Sequence, residues 1–156
     1  MYSISNIIVQ VSINNFGVDT MAAWTAYSKI DFIFWMINSA FGISLMTFVG
    51  QNYGAGKWDR IRRGTKICLG MALISAVSVC IILMSAERFL FGIFVNDAGV
   101  VEIGIRMMNV IAPAYLLFAF IEVFSGALRA QGAVVVSTLI TMVGICVLRM
   151  IWVTLV

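Results

Sequence analysis

The sequence predicts an all-α integral membrane protein, a polytopic helical bundle of about five transmembrane segments. Three observations predict it. Hydrophobic residues fill 62% of the 156 positions and charged residues 11%, where a soluble domain carries roughly 45–50% and about 25%; mean hydropathy is +1.05. Several apolar runs reach the about 20 residues that a helix needs to cross hydrocarbon. The stretch TFVGQNYGAGKWDRIRRGTK (47–66) interrupts them with a glycine turn followed by crowded basic charge.

In chain order, residues 1–13 (MYSISNIIVQVSI) are apolar but too short to span, and they lack the basic start and small-residue cleavage site of a signal peptide. They read as a helix that has lost its beginning. Asn14, Asn15 and Gly17 supply turn chemistry, and a second segment, 20–50, follows. Its length exceeds the bilayer's need and allows tilt. The loop 51–66 then reverses the chain. Gly50, Gly54 and Gly56 can take the positive φ that ends a helix, and Gln51 and Asn52 can satisfy freed carbonyls. Lys57, Arg60, Arg62, Arg63 and Lys66 against the single Asp59 place this loop on the cytoplasmic side.

Segment 67–86 carries no charge, and the mixed stretch 87–106 suits a non-cytoplasmic connection. Segment 100–128 holds Pro113, the one proline, which should kink it. Arg129-Ala130-Gln131-Gly132 makes a tight cytoplasmic turn, and the last segment, 133–156, stops while still apolar. Both chain ends read as cut.

Several function classes are excluded. GQNYGAGK fails the phosphate-loop pattern at Gln51 and Trp58. Cys68, Cys80 and Cys146 sit singly in apolar segments with no CxxC spacing and no histidine in the chain, so they read as packing residues and not as a metal site or disulfide, and no cofactor is expected. No GxSxG or catalytic Asp pair points to an enzyme. The basic sequence pI near 9.0 reports topology, not nucleic acid.

Charges at membrane depth are the candidate site, because each costs about 2.5–3.5 kcal/mol unless paired or hydrated. Asp31 lies about 18 Å along its helix and Glu122 about 10 Å from the turn at Arg129, so in a core about 30 Å thick their levels nearly coincide. That allows a shared polar site or a Lys29–Glu122 pair. Mutual pairing that only locks helices together is the competing reading. Gln10, Asn14, Asn38, Asn109 and Tyr115 are uncharged polar residues that can bond across a helix pair or line a pathway. Trp35, Met36, Phe41 and Phe118 suit a pliable surface for organic cations. Arg149 reads as structural, snorkelling outward.

Two motifs resemble a known family. The run NNFGVDTMAAWTAYSKIDFIFWMINSAFGISLMTFVGQNYGAGKWDRIRRGTK and the downstream SGALRAQGAVVVSTLITMVGICVLRMIW resemble the multidrug and toxic compound extrusion (MATE) transporters. The loop motif there is Gly50, Gln51, Asn52, Gly54, Ala55, Gly56 and Arg60. Ala130 departs from the glycine that is commoner in the second motif. The resemblance implies a piece of the second lobe of a 12-helix antiporter in the plasma membrane. Such a protein exports small organic cations in exchange for Na⁺ or H⁺, and its partners here would be membrane lipid and a missing N-terminal lobe. A lipid-linked oligosaccharide flippase of the same superfamily, or a non-transporting membrane fragment or assembly partner, remain as alternatives.

Overall fold

The structure is a computed structural model and describes residues 17–143. Every regular element among them is helical: α1 (Val18–Gly54), α2 (Trp58–Ser85), α3 (Glu87–Phe94), α4 (Ala98–Ile111), α5 (Ala114–Ala130) and α6, described over Val134–Val143. Segment 1–13, with Gln10, lies outside the described residues, as do Asn14, Cys146, Arg149 and the rest of segment 133–156. Two helices, α1 and α2, are long and apolar enough to cross a membrane, and α4 with α5 make a third span if taken as one broken helix.

Helix ends differ from the sequence expectation because hydropathy marks the edge of the lipid, not the end of the helix. The second segment, expected over 20–50, runs as α1 to Gly54, so Gly50, Gln51 and Asn52 are helical and not loop. The third, expected over 67–86, begins at Trp58, which places most of the basic residues on its first turns. The reversal itself needs only one glycine of the expected three. Gly56 has φ +67°; its amide donates to the Tyr53 carbonyl at 3.0 Å, and the Lys57 amide to that of Asn52 at 2.9 Å. This is the paired Schellman pattern, which satisfies the last carbonyls of α1. Asn52 donates back to the Phe48 carbonyl at 2.8 Å. The turn after α5 repeats the solution: Gly132 has φ +83°, with Gly132 bonded to Arg129 at 3.2 Å and Ala133 to Leu128 at 3.1 Å.

Segment 100–128 is two helices. The break falls at Ala112–Pro113, where proline has no amide to donate and its ring displaces the preceding turn. The connection 87–106 contains a helix that mixed charge concealed, α3, with Phe91 as its buried residue. Asp97 then starts α4 as an N-cap, its carboxylate accepting from the amides of Gly99 at 2.7 Å and Val100 at 3.4 Å.

The chain packs as two compact units. The first comprises α1 up to Phe34 and Ser78–Ala114. Along α1 its core residues Ala23, Ala26, Tyr27, Ile30 and Phe34 fall at i, i+3, i+4, i+7 and i+11, one helix face. Phe91 of α3 is fully buried against Gly104 of α4, whose missing side chain makes room for the ring. The Cys80 thiol points at the Ala112 carbonyl, 3.9 Å away. The second unit comprises Trp35–Val77 and the chain from Tyr115. There the ring of Phe48 in α1 occupies the space beside Gly64 of α2, and the Cys68 thiol lies 3.8 Å from the Phe41 carbonyl.

Gly104→Leu should displace Phe91 and lower the melting temperature of the full-length protein in detergent, at about 1–3 kcal/mol of overpacking. Gly92→Ala, where an added methyl meets nothing within 4 Å, should leave it nearly unchanged; equal melting of the two variants would contradict the contact.

Candidate functional site

The second unit brings α1 and α5 together along a seam of regularly spaced residues. Trp35, Asn38 and Gly42 on α1 face Phe118, Glu122 and Gly126 on α5, spacings of three to four that keep each set on one helix face. The Trp35 and Phe118 rings lie 5.1 Å apart. Asn38, 4% exposed, donates from Nδ2 to the Phe118 carbonyl at 3.4 Å. A methyl group on Gly126 would come within 2.6 Å of the Gly42 carbonyl oxygen, so the two backbones touch. Close approach through small residues is the usual way helices associate in lipid, where no hydrophobic force acts between them.

Glu122 lies across this contact. Its side chain covers Gly42, with Oε1 at 2.5 Å from where a Gly42 methyl would stand. The same oxygen accepts from Arg129 Nη2 at 3.0 Å. Seven residues separate the partners, two turns of α5, so both project from one face. Arg129 also donates from Nε to the Ser125 carbonyl at 3.3 Å, which fixes the guanidinium over the last turn.

Below the seam α5 is tied to α6 by hydroxyl groups. Ser125 and Ser137 are each 1% exposed. Ser137 Oγ donates to the Ser125 carbonyl at 3.1 Å and Thr141 Oγ1 to the Ser137 carbonyl at 2.9 Å. Since the one Thr141 proton is thereby used, Ser125 Oγ is the donor in its 2.9 Å bond with Thr141.

The other sequence candidates fall elsewhere. In the first unit Lys29 is exposed, with Nζ 5.2 Å from the centre of the Phe94 ring, a cation–π geometry. Trp24, Thr25, Ser28, Lys29 and Phe32 line an open groove on one side of α1. Asp31 is half-buried and Asn109 exposed, while Tyr115 is 1% exposed. In the loop motif Asn52 is buried, Gly50 half-buried, and Gln51, Gly54, Ala55, Gly56 and Arg60 exposed. Sequence reasoning missed Arg129 as the partner of Glu122, the Gly42–Gly126 contact, and the Ser125–Ser137–Thr141 cluster. Heptad spacing between Glu122 and Arg129 and the four-residue spacing of Ser137 and Thr141 were the available signals. Among the described residues no three His, Cys, Asp or Glu side chains gather to hold a metal ion.

Long apolar helices reversed at capped glycine turns, with a close-packed polar seam inside, define a multi-pass helical membrane protein. The MatE family model matches residues 1–155, and the chain belongs to that family. It is 23% identical over 145 residues, 93% of this chain and 31% of the relative, to the probable multidrug resistance protein YoeA of Bacillus subtilis. It is 24% identical over 148 residues, 92% of this chain and 32% of the relative, to the probable multidrug resistance protein NorM of Deinococcus radiodurans. With multidrug and toxin extrusion protein 1 of Rattus norvegicus it shares 24% over 128 residues, 82% of this chain and 23% of the relative. The chain thus spans about a third or less of the length of these curated relatives. No solved structure matches it.

A double-mutant cycle on Glu122→Gln and Arg129→Gln should give a stabilising coupling of about 0.5–1 kcal/mol in the melting of the full-length protein, modest because Arg129 is partly exposed. Strictly additive effects would contradict the ion pair.

Proposed function

We propose that this chain supplies helices of a multidrug efflux transporter of the plasma membrane, which exports organic cations or similar toxic compounds in exchange for inward Na⁺ or H⁺. The observation that carries the reading is the family match over residues 1–155, supported by the multidrug resistance and extrusion names of the relatives. In this reading the basic bend 51–66 is cytoplasmic, as its excess of positive charge favours. Lipid or further helices, including an N-terminal lobe, cover the exposed apolar faces, and alternating access operates between two lobes.

Glu122 is the group best placed to sense the coupling ion. Among the described residues Arg129 is its one polar partner, and a Na⁺ or proton arriving at the carboxylate competes with the guanidinium. Release of Arg129 loosens its hold on the last turn of α5, just before the Gly132 reversal, so ion occupancy biases the geometry of that turn. Asp31 is the second candidate carboxylate. The same ion pair also favours a purely structural reading, in which Glu122 and Arg129 brace α5 and meet no transported ion.

In vesicles containing the full-length protein, Glu122→Gln should lower ion-driven efflux of a cationic dye by about tenfold and flatten its dependence on Na⁺ or pH, with a smaller loss for Asp31→Asn. Unchanged efflux and unchanged ion dependence in both variants would leave the structural reading standing and contradict the proposed one.

A further inference from the structure

Lys57 and Arg60 flank the start of α2, where the positive pole of the helix disfavours cations, and Arg62, Arg63 and Lys66 follow on its next turns. Asp59 is the one acidic residue among them. All five basic side chains are exposed, and none of them forms an ion pair among the described residues. Exposed guanidinium and ammonium groups with no protein partner among the described residues are available to an anion from outside them.

The rest of α2 indicates what kind of anion. Its packed face is Ile61, Gly64, Cys68 and Ala72. On a flanking face Arg60, Arg63, Ile67, Met71 and Ile74 follow one another at spacings of three and four, a single stripe along the helix. Ile67 is 56%, Met71 50% and Ile74 69% exposed. Gly70 lies beside the stripe, with no atom within 4 Å of an added methyl. The stripe therefore begins with two guanidinium groups and continues as apolar surface. From Arg63 to Ile74 the rise is about 16 Å, close to the half-thickness of a hydrocarbon core about 30 Å across. The exposed Tyr53 and Trp58 rings, 5.1 Å apart and edge to face, mark the interfacial level beside the arginines.

We propose that this stripe is a binding site for an anionic phospholipid, its headgroup phosphate held by Arg60 and Arg63 and an acyl chain lying along Ile67, Gly70, Met71 and Ile74. Guanidinium suits the role, because its planar fork bonds two phosphate oxygens at once. The headgroup charge supplies the partner that these basic side chains lack among the described residues. The site depends on the membrane fold and not on the transport reading.

The test is photolabelling of the full-length protein in phosphatidylcholine vesicles that contain a trace of either phosphatidylglycerol or phosphatidylcholine bearing a diazirine on the acyl chain, with adducts mapped by mass spectrometry. The phosphatidylglycerol probe should label residues 67–74 about fivefold or more over the phosphatidylcholine probe, the preference expected from roughly one basic contact or more. The preference should shrink in high salt and approach one in Arg60→Gln/Arg63→Gln. Arg60→Lys/Arg63→Lys should fold alike and retain most of the preference, which separates loss of charge from loss of structure. Equal labelling by both probes, a preference unaffected by Arg60→Gln/Arg63→Gln, or no labelling of 67–74 because another helix covers it would each overturn the proposal.

Discussion

A backbone in hydrocarbon has no water to complete its hydrogen bonds, and that constraint governs where this chain can turn. The reversals after α1 and after α5 are each made by one glycine at positive φ, Gly56 and Gly132, with the paired amide-to-carbonyl bonds that close the helix end. The turns are consequently short, and the helices they join run side by side. Where the chain breaks inside an apolar stretch, it does so at Pro113, which has no amide to leave unsatisfied.

Adjacent helices held this way still need a reason to stay together, since lipid solvates apolar side chains as well as protein does. The α1–α5 seam supplies it by removing side chains at Gly42 and Gly126 and placing polar groups around the contact. Asn38 bonds a carbonyl on the opposite helix, and Glu122 folds over Gly42 to reach Arg129. The Ser125, Ser137 and Thr141 hydroxyls do the same work between α5 and α6. The Glu122 carboxylate is therefore embedded in the contact that holds its helix in place. Any ion that binds it acts on packing as well as on charge.

Much of this was legible before the structure. Apolar length and charge poverty indicate membrane helices, the basic stretch indicates the bend, and Pro113 indicates a break. Helix ends were not legible, because three glycines stand near the bend and only the backbone shows that Gly56 alone leaves the helix. The eight-residue α3 was hidden because its charges resemble a loop while its one buried residue, Phe91, depends on a gap at Gly104. Depth drew Asp31 and Glu122 forward together, but depth cannot choose a partner, and Arg129 was read only as part of the turn. Gly42 and Gly126 gain their meaning from each other, across 84 positions of sequence.

In the proposed membrane reading α1, α2 and the broken α4–α5 pair are three successive spans, so the basic bend at Lys57 and the turn at Gln131 share the cytoplasmic side and Asp97 lies opposite. Single cysteines at Lys57, Asp97 and Gln131 in a cysteine-free full-length protein, labelled in intact cells with an impermeant maleimide, test it directly. Asp97→Cys should label from outside, while Lys57→Cys and Gln131→Cys should label only after the membrane is opened. Labelling of Lys57→Cys and Asp97→Cys from the same side would contradict it.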